Sequence, residues 1–94
     1  MNLDQQLQEF QQKYVNLEQQ AEQGSQRWHA YNQIVTFIQS EQHVMPAKQR
    51  AFETQIALVK LAKILDPSSE RHVVWEAVEE LERIADLHPI RSVY

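Results

Sequence analysis

Three side chains near the C-terminal end have the types and spacing of a metal site. His72, Glu76 and Glu79 follow one another at intervals of four and three residues, so a helix would carry an imidazole and two carboxylates on one face. A di-iron carboxylate centre would also need a glutamate three residues before a histidine, and none of the four histidines has an acidic residue there. The pattern favours a solvated ion-pair face, with a small helical enzyme or metal site as an alternative.

The sequence lacks the motifs of nucleophilic catalysis and of nucleotide-cofactor binding. The chain contains no cysteine, which removes disulfides, thiolate zinc sites and a thiol nucleophile, and its serines form no G-x-S-x-G turn. The single glycine, Gly24, excludes a P-loop and a dinucleotide-binding loop, because both need several glycines where the backbone approaches phosphate. We therefore expect no catalytic residue, no metal and no cofactor.

The predicted third helix carries the main basic cluster of the chain, which consists of Lys48, Arg50, Lys60 and Lys63. A nucleic-acid-linked regulator that uses this helix is a second alternative function, since phosphate recognition requires a basic face. The formal net charge of −4 and an acidic last helix oppose it, because both repel phosphate. We therefore do not expect nucleic acid to be the partner.

Length and composition predict one globular domain over residues 1–94. The chain is 43% hydrophobic and 23% charged, values typical of a folded domain. No apolar segment follows a basic N-terminal start, so we expect no signal peptide, and the longest apolar run, Ile56 to Val59, is far too short to cross a membrane. Together with the absence of cysteine, these features predict a cytoplasmic protein.

Helices are expected to position all of these side chains. A β structure needs many tight turns, and the chain has only one glycine and three prolines to form them. Apolar periodicity and capping residues predict helices over about 3–22, 26–42, 46–65 and 67–87, with a short tail over 89–94. Short connections make the expected fold an all-α antiparallel bundle of four helices. The bundle would have three helices if the first two ran on through Gly24, because the apolar spacing stays in phase across it.

Particular residues define the predicted helix boundaries. Asn2 and Ser25 are expected to cap the first two helices. Pro46 is expected to open the third helix, and Asp66-Pro67 to separate it from the fourth. The second half of the third helix is apolar on most sides, so we expect this helix to be buried at the centre of the fold.

An apolar seam on the first helix is the main candidate interface with another protein. Its residues recur at alternating steps of four and three, as in a coiled coil, and glutamines flank it in place of the charges that usually specify a partner. Two aromatic residues near the C-terminal end, on a helix edge and in the tail, are further candidate anchors. The candidate interface residues are Leu7, Phe10, Tyr14, Leu17, Trp75 and Tyr94.

By elimination, the leading hypothesis is a non-enzymatic helical protein-protein interaction module. Its partner would be another protein or a second copy of the chain, bound through apolar anchors with an acidic rim for specificity. Small bacterial or phage adaptors, secretion chaperones and bacteriocin-immunity proteins share this size and architecture, and no motif selects one of them. The 14 glutamines fit either an open protein-binding face or a bias in host composition.

Overall fold

The computed structural model describes residues 2–40, 45–65 and 70–90. They form four α-helices, which are α1 (Leu3–Gln20), α2 (Gln26–Ser40), α3 (Ala47–Ile64) and α4 (Glu70–Ala85). These residues contain no strand, and every helix contacts the other three, so the fold is the small all-α bundle that the sequence predicts. No helix in these ranges is both long enough and apolar enough to cross a membrane.

The break between α1 and α2 falls at Gly24, which makes the helix count four. Gly24 has a φ of +86°, a left-handed conformation that residues with a Cβ rarely adopt. The Asn2 side chain accepts a hydrogen bond from the backbone N–H of Gln5 at 2.8 Å. Ser25 Oγ likewise accepts from the backbone N–H of Trp28 at 3.1 Å. Both predicted caps are therefore confirmed.

Other predicted boundaries differ from the structure or lie outside the described residues. Pro46 is the N-cap of α3 and Ala47 is its first helical residue, because Pro46 is extended with ψ 150°. α1 ends two residues before its predicted limit, because the following Ala21 is extended. The predicted boundary at Asp66-Pro67 lies outside the described residues, as do the predicted end of the second helix and most of the tail.

The helices α1 and α2 form an antiparallel hairpin. Near the Gly24 turn, Asn32 of α2 donates a hydrogen bond to Glu18 of α1 at 3.3 Å. At the other end of the hairpin, Leu7 and Ile38 line one groove. Early residues of α1 therefore lie beside late residues of α2, as a short connection requires.

The helices α3 and α4 form the second antiparallel hairpin. Lys48 Nζ donates to the carbonyl oxygens of Ala85 at 2.5 Å and Asp86 at 3.2 Å, which sets a cation at the negative end of the α4 dipole. Two turns further along α3, the amide of Gln55 donates to Glu82 at 2.8 Å. These contacts fix the register of the two helices.

The core draws side chains from every helix, but α3 contributes only one of its faces. The largest fully buried apolar side chains are Ile34, Leu58, Val59, Val74, Val78 and Leu81. On the other side of α3, Ile64 is 74% exposed and Phe52 is 42% exposed. The prediction that α3 is buried all round at the centre is therefore wrong, because its neighbours cover one side of it and leave the other in solvent.

Candidate functional site

The apolar seam of α1 packs into the protein's own core. Phe10 is 2% exposed and Tyr14 is 4% exposed, and their ring centroids lie 5.1 Å apart. Leu7 and Leu17 are half-buried against the same core. The seam is therefore an internal packing face and not the open docking face expected from the sequence, because the bundle needs the one apolar stripe of α1 for its own core.

The other two predicted anchors are Trp75 and Tyr94. Trp75 is half-buried and packs against the core. Gln55 of α3 is hydrogen-bonded to Glu82 of α4. Ala62 follows Gln55 by seven residues and Trp75 precedes Glu82 by seven, so in this antiparallel hairpin Trp75 lies level with Ala62. Tyr94 lies outside the described residues.

A polar network ties α1 to α4 beside the seam. Lys13 Nζ lies 2.7 Å from Glu80 Oε2, and this carboxylate is near the Tyr14 ring. Burial raises the pKa of Tyr14 above its ordinary value of 10, and the negative charges of Glu80 and Glu76 raise it further. Tyr14 is therefore a neutral phenol at the edge of the core.

Tyr14→Phe is expected to reduce the loss of stability at alkaline pH. Because the folded-state pKa of Tyr14 is raised, the unfolded chain loses this proton first, and stability falls as the pH rises past the unfolded-state value of about 10. The free energy of unfolding in urea should therefore decline less in the variant between neutral pH and about pH 11. At neutral pH the variant should lose no more than about 1 kcal/mol of stability. An unchanged alkaline decline would contradict this role.

The predicted metal edge on α4 is an exposed pair of polar side chains. His72 Nε2 lies 3.0 Å from Glu76 Oε1, and the two side chains are 81% and 63% exposed. Glu79 is also exposed. Within the described ranges, no three His, Cys, Asp or Glu side chains come close enough together to hold a metal ion. The geometry is that of a solvated polar face.

The four cations of α3 do not share one basic face. Lys48 is bound to the carbonyl oxygens at the end of α4, and Arg50 pairs with Asp4 of α1. Lys60 and Lys63 lie on the outward side of the helix, exposed to solvent. Because a phosphate backbone is held by several cations together, this arrangement gives the nucleic-acid alternative little support.

The outward side of α3 combines exposed apolar residues with charges of both signs. Phe52 and Ile64 are the only large apolar side chains that are exposed in the described part of the chain. At 3.6 residues per turn, these two residues and four others fall within about 120° of the helix circumference. This outer face of α3 comprises Phe52, Glu53, Ile56, Lys60, Lys63 and Ile64.

Glu53 and Lys60 flank the centre of this outer face. Glu53 precedes Ile56 by three residues and Lys60 follows it by four, so one charge lies a turn away on each side of an apolar residue. Neither charge has a hydrogen-bond or ion-pair partner within the described ranges. Ile56 belongs neither to the core nor to the half-buried side chains packed on it. Within the described residues, Ile56 is therefore outside the core, and Glu53 and Lys60 form no ion pair or hydrogen bond.

The sequence signal for this face is the helical phase of the apolar residues in α3. Leu58 and Ala62 are buried, whereas Phe52 and Ile56 lie on a different arc of the same helix. When all apolar residues of the segment are treated as one group, the helix looks buried all round. A helical wheel that separates the two arcs would have found the outer face.

A buried amide joins α3 to α4. Gln55 is 0% exposed, and its Nε2 donates at 2.8 Å both to Glu82 Oε2 and to the carbonyl oxygen of His88. Its Oε1 is buried and has no hydrogen-bond partner among the described residues. If the side-chain amide of Gln55 were flipped, its oxygen would face the Glu82 carboxylate and the His88 carbonyl, which are both acceptors. The orientation with Nε2 toward them therefore makes more hydrogen bonds.

A groove of about 440 Å³ runs between α1 and α3. Most of its lining residues are polar, namely Asp4, Gln8, Gln11, Gln12, Arg50 and Thr54. Of its apolar lining residues, Phe10, Ile38 and Leu81 are buried and Leu7 is half-buried. Arg50 lies on its wall and pairs with Asp4 of the first turn of α1. Arg50 Nε is buried and has no hydrogen-bond partner among the described residues.

Two described surfaces therefore differ in character: the outer face of α3 exposes large apolar side chains, and the groove beside Arg50 is mostly polar. Comparison of the chain with protein-family models, curated proteins and solved structures finds no match. The chemistry of these two surfaces is accordingly the basis for assigning a function.

Proposed function

We propose that this chain is a non-enzymatic helical interaction protein that binds a second copy of itself through the outer face of α3. The observation that carries the proposal is the 74% exposure of Ile64 on a face where Phe52 is also exposed. The two lie about three turns apart, with the half-buried Ile56 between them, and apolar residues repeated along one side of a helix are typical of a face that a partner covers.

The charges on the face favour a second copy as the partner. If two α3 helices packed antiparallel about a twofold axis near Ile56, Glu53 of one protomer would lie opposite Lys60 of the partner subunit. The symmetry would produce this contact twice. A partner with only acidic groups would leave Glu53 opposite a like charge. The face is thus complementary to itself in charge and apolar at its centre.

The expected association is modest in strength. A contact between one helix and its symmetry mate falls at the small end of protein interfaces, below about 1,200 Å². Exposed ion pairs contribute about 0.2–1 kcal/mol each, so the affinity would come mainly from Phe52, Ile56 and Ile64. The charged pairs would fix the antiparallel register. We expect a dissociation constant between the micromolar and the sub-millimolar range.

An introduced cysteine at the twofold axis tests this proposal. The chain has no cysteine, so Ile56→Cys would carry one thiol, which in the proposed dimer lies beside its symmetry mate. Facing residues of two packed helices approach within the Cα separation of about 4.4–6.8 Å that a disulfide spans. We expect mild oxidation to give covalent dimers with twice the chain mass on a non-reducing gel.

Gln23→Cys is the matched control, because Gln23 is exposed in the connection between α1 and α2. This variant should cross-link only at the slow rate of random collision. Thermal unfolding of both reduced variants would establish that they fold like the wild type. Equal cross-linking rates in the two folded variants would rule out the outer face of α3 as the contact.

A further inference from the structure

We infer that self-association also joins the exposed edges of the two α4 helices, where Arg83 of one protomer pairs with Glu79 of the partner subunit. This inference rests on the proposed function and extends the contact to a second helix. The exposed edge of α4 comprises His72, Glu76, Glu79, Arg83 and Asp86. It therefore carries three carboxylates and one guanidinium.

The exposed edge of α4 lies beside the outer face of α3. Gln55 of α3 is hydrogen-bonded to Glu82 of α4, and Phe52 lies next to Gln55 on the helix surface, so α4 runs along the flank of α3 that carries Phe52. Val78 and Leu81 of α4 are buried in the core. The exposed edge therefore points away from the core, as the outer face of α3 does.

The twofold axis at Ile56 would turn the two exposed edges toward each other. An axis that crosses two antiparallel helices keeps the same flank of each on the same side, so both α4 helices would lie on one side of the paired α3 helices. With packed helices about 8–10 Å apart, the two α4 axes would be roughly 13 Å apart. Long charged side chains can span such a gap, whereas short apolar ones cannot.

The register places Arg83 opposite Glu79. The axis at Ile56 passes α4 at Leu81, because each is one residue from the hydrogen-bonded pair that joins α3 to α4. Glu79 and Arg83 lie two residues before and two residues after this point, so symmetry would bring them together twice. Although they are four residues apart on α4, neither forms an ion pair or a hydrogen bond within the described ranges.

Arg83 determines whether the contact between the two edges is attractive. Without it, the carboxylates of Glu76, Glu79 and Asp86 would face their own copies and repel them. With it, each protomer supplies a cation to the acidic edge of the other. The second contact also enlarges an interface that a single pair of helices leaves small.

Sedimentation equilibrium of Arg83→Glu tests the contact. The variant replaces two attractive contacts by two repulsive ones, so we expect the dissociation constant to rise by about threefold to thirtyfold. Arg27→Glu is the matched control, because it makes the same change of charge at an exposed residue in the first turn of α2. It should change the constant by less than about twofold. Adding Glu79→Arg to Arg83→Glu should restore the wild-type constant.

The outcomes separate this contact from the one on α3, provided that circular dichroism shows every variant to be folded. If Glu53→Lys weakens the dimer and Arg83→Glu acts no more strongly than Arg27→Glu, the α4 contact is refuted and the α3 contact stands. A double variant as weak as Arg83→Glu alone refutes the pairing with Glu79. A wild-type chain that stays monomeric refutes both proposals.

Discussion

Glu53→Lys is expected to weaken the self-association of the chain by about tenfold to a hundredfold, and adding Lys60→Glu is expected to restore it. In the proposed dimer the single variant replaces two attractive contacts by two like-charge contacts. A swing from attraction to repulsion at two exposed pairs amounts to about 1–3 kcal/mol, which corresponds to this change in the dissociation constant. Sedimentation equilibrium of the three proteins measures it directly.

The reversed double variant is the sharpest control for this result. It has the composition and net charge of the wild type, and within one helix Glu53 and Lys60 are seven residues apart, too far to pair with each other. Restored association would therefore report a contact between protomers. The difference between the single variant and the wild type should also shrink in high salt, because both contacts are exposed. A double variant as weak as the single one would contradict the antiparallel register.

Gln55→Ala is expected to destabilise the fold by about 3 kcal/mol, a large share of the roughly 5–15 kcal/mol typical of a domain. The amide is fully buried and donates to the carboxylate of Glu82, which is itself 8% exposed, and to the carbonyl of His88. Truncation removes both hydrogen bonds and leaves a cavity, while the Glu82 carboxylate stays buried. Urea unfolding of the variant measures the loss.

Gln19→Ala is the matched control, because it makes the same truncation at an exposed position of α1 and should change stability by less than about 0.5 kcal/mol. The double variant Gln55→Ala with Glu82→Ala should lose less free energy of unfolding than the two single variants lose together. Removing both partners leaves no carboxylate that has lost its donor. Strictly additive losses would mean that the two side chains are not energetically coupled.

The helix count and the caps could be predicted because they depend on neighbouring residues. Gly24 has a left-handed conformation in the connection between α1 and α2, and the side chains of Asn2 and Ser25 cap their helices through backbone N–H groups three residues away. The apolar seam of α1 was also recognised as a distinct stripe. Its role was misjudged, since periodicity tells that Phe10 and Tyr14 share a face but not whether the same chain covers that face.

The contacts between helices depend on tertiary register, which no local pattern encodes. Arg50 meets Asp4 across 46 residues of sequence, and Gln55 meets Glu82 across 27. Likewise, the exposure of Ile64 follows from which side of α3 its neighbours cover. The basic character of α3 was readable from the sequence, whereas the separate engagement of Lys48 at the end of α4 required the packed hairpin.

The average molar mass of the wild-type chain as a function of its concentration tests the central claim most directly. If the outer face of α3 joins two copies, sedimentation equilibrium should give a mass that rises from 11.1 kDa toward twice that value between micromolar and millimolar protein. The folded state of the chain can be followed in the same samples by circular dichroism. A folded chain whose mass stays at 11.1 kDa up to millimolar concentration would contradict the account.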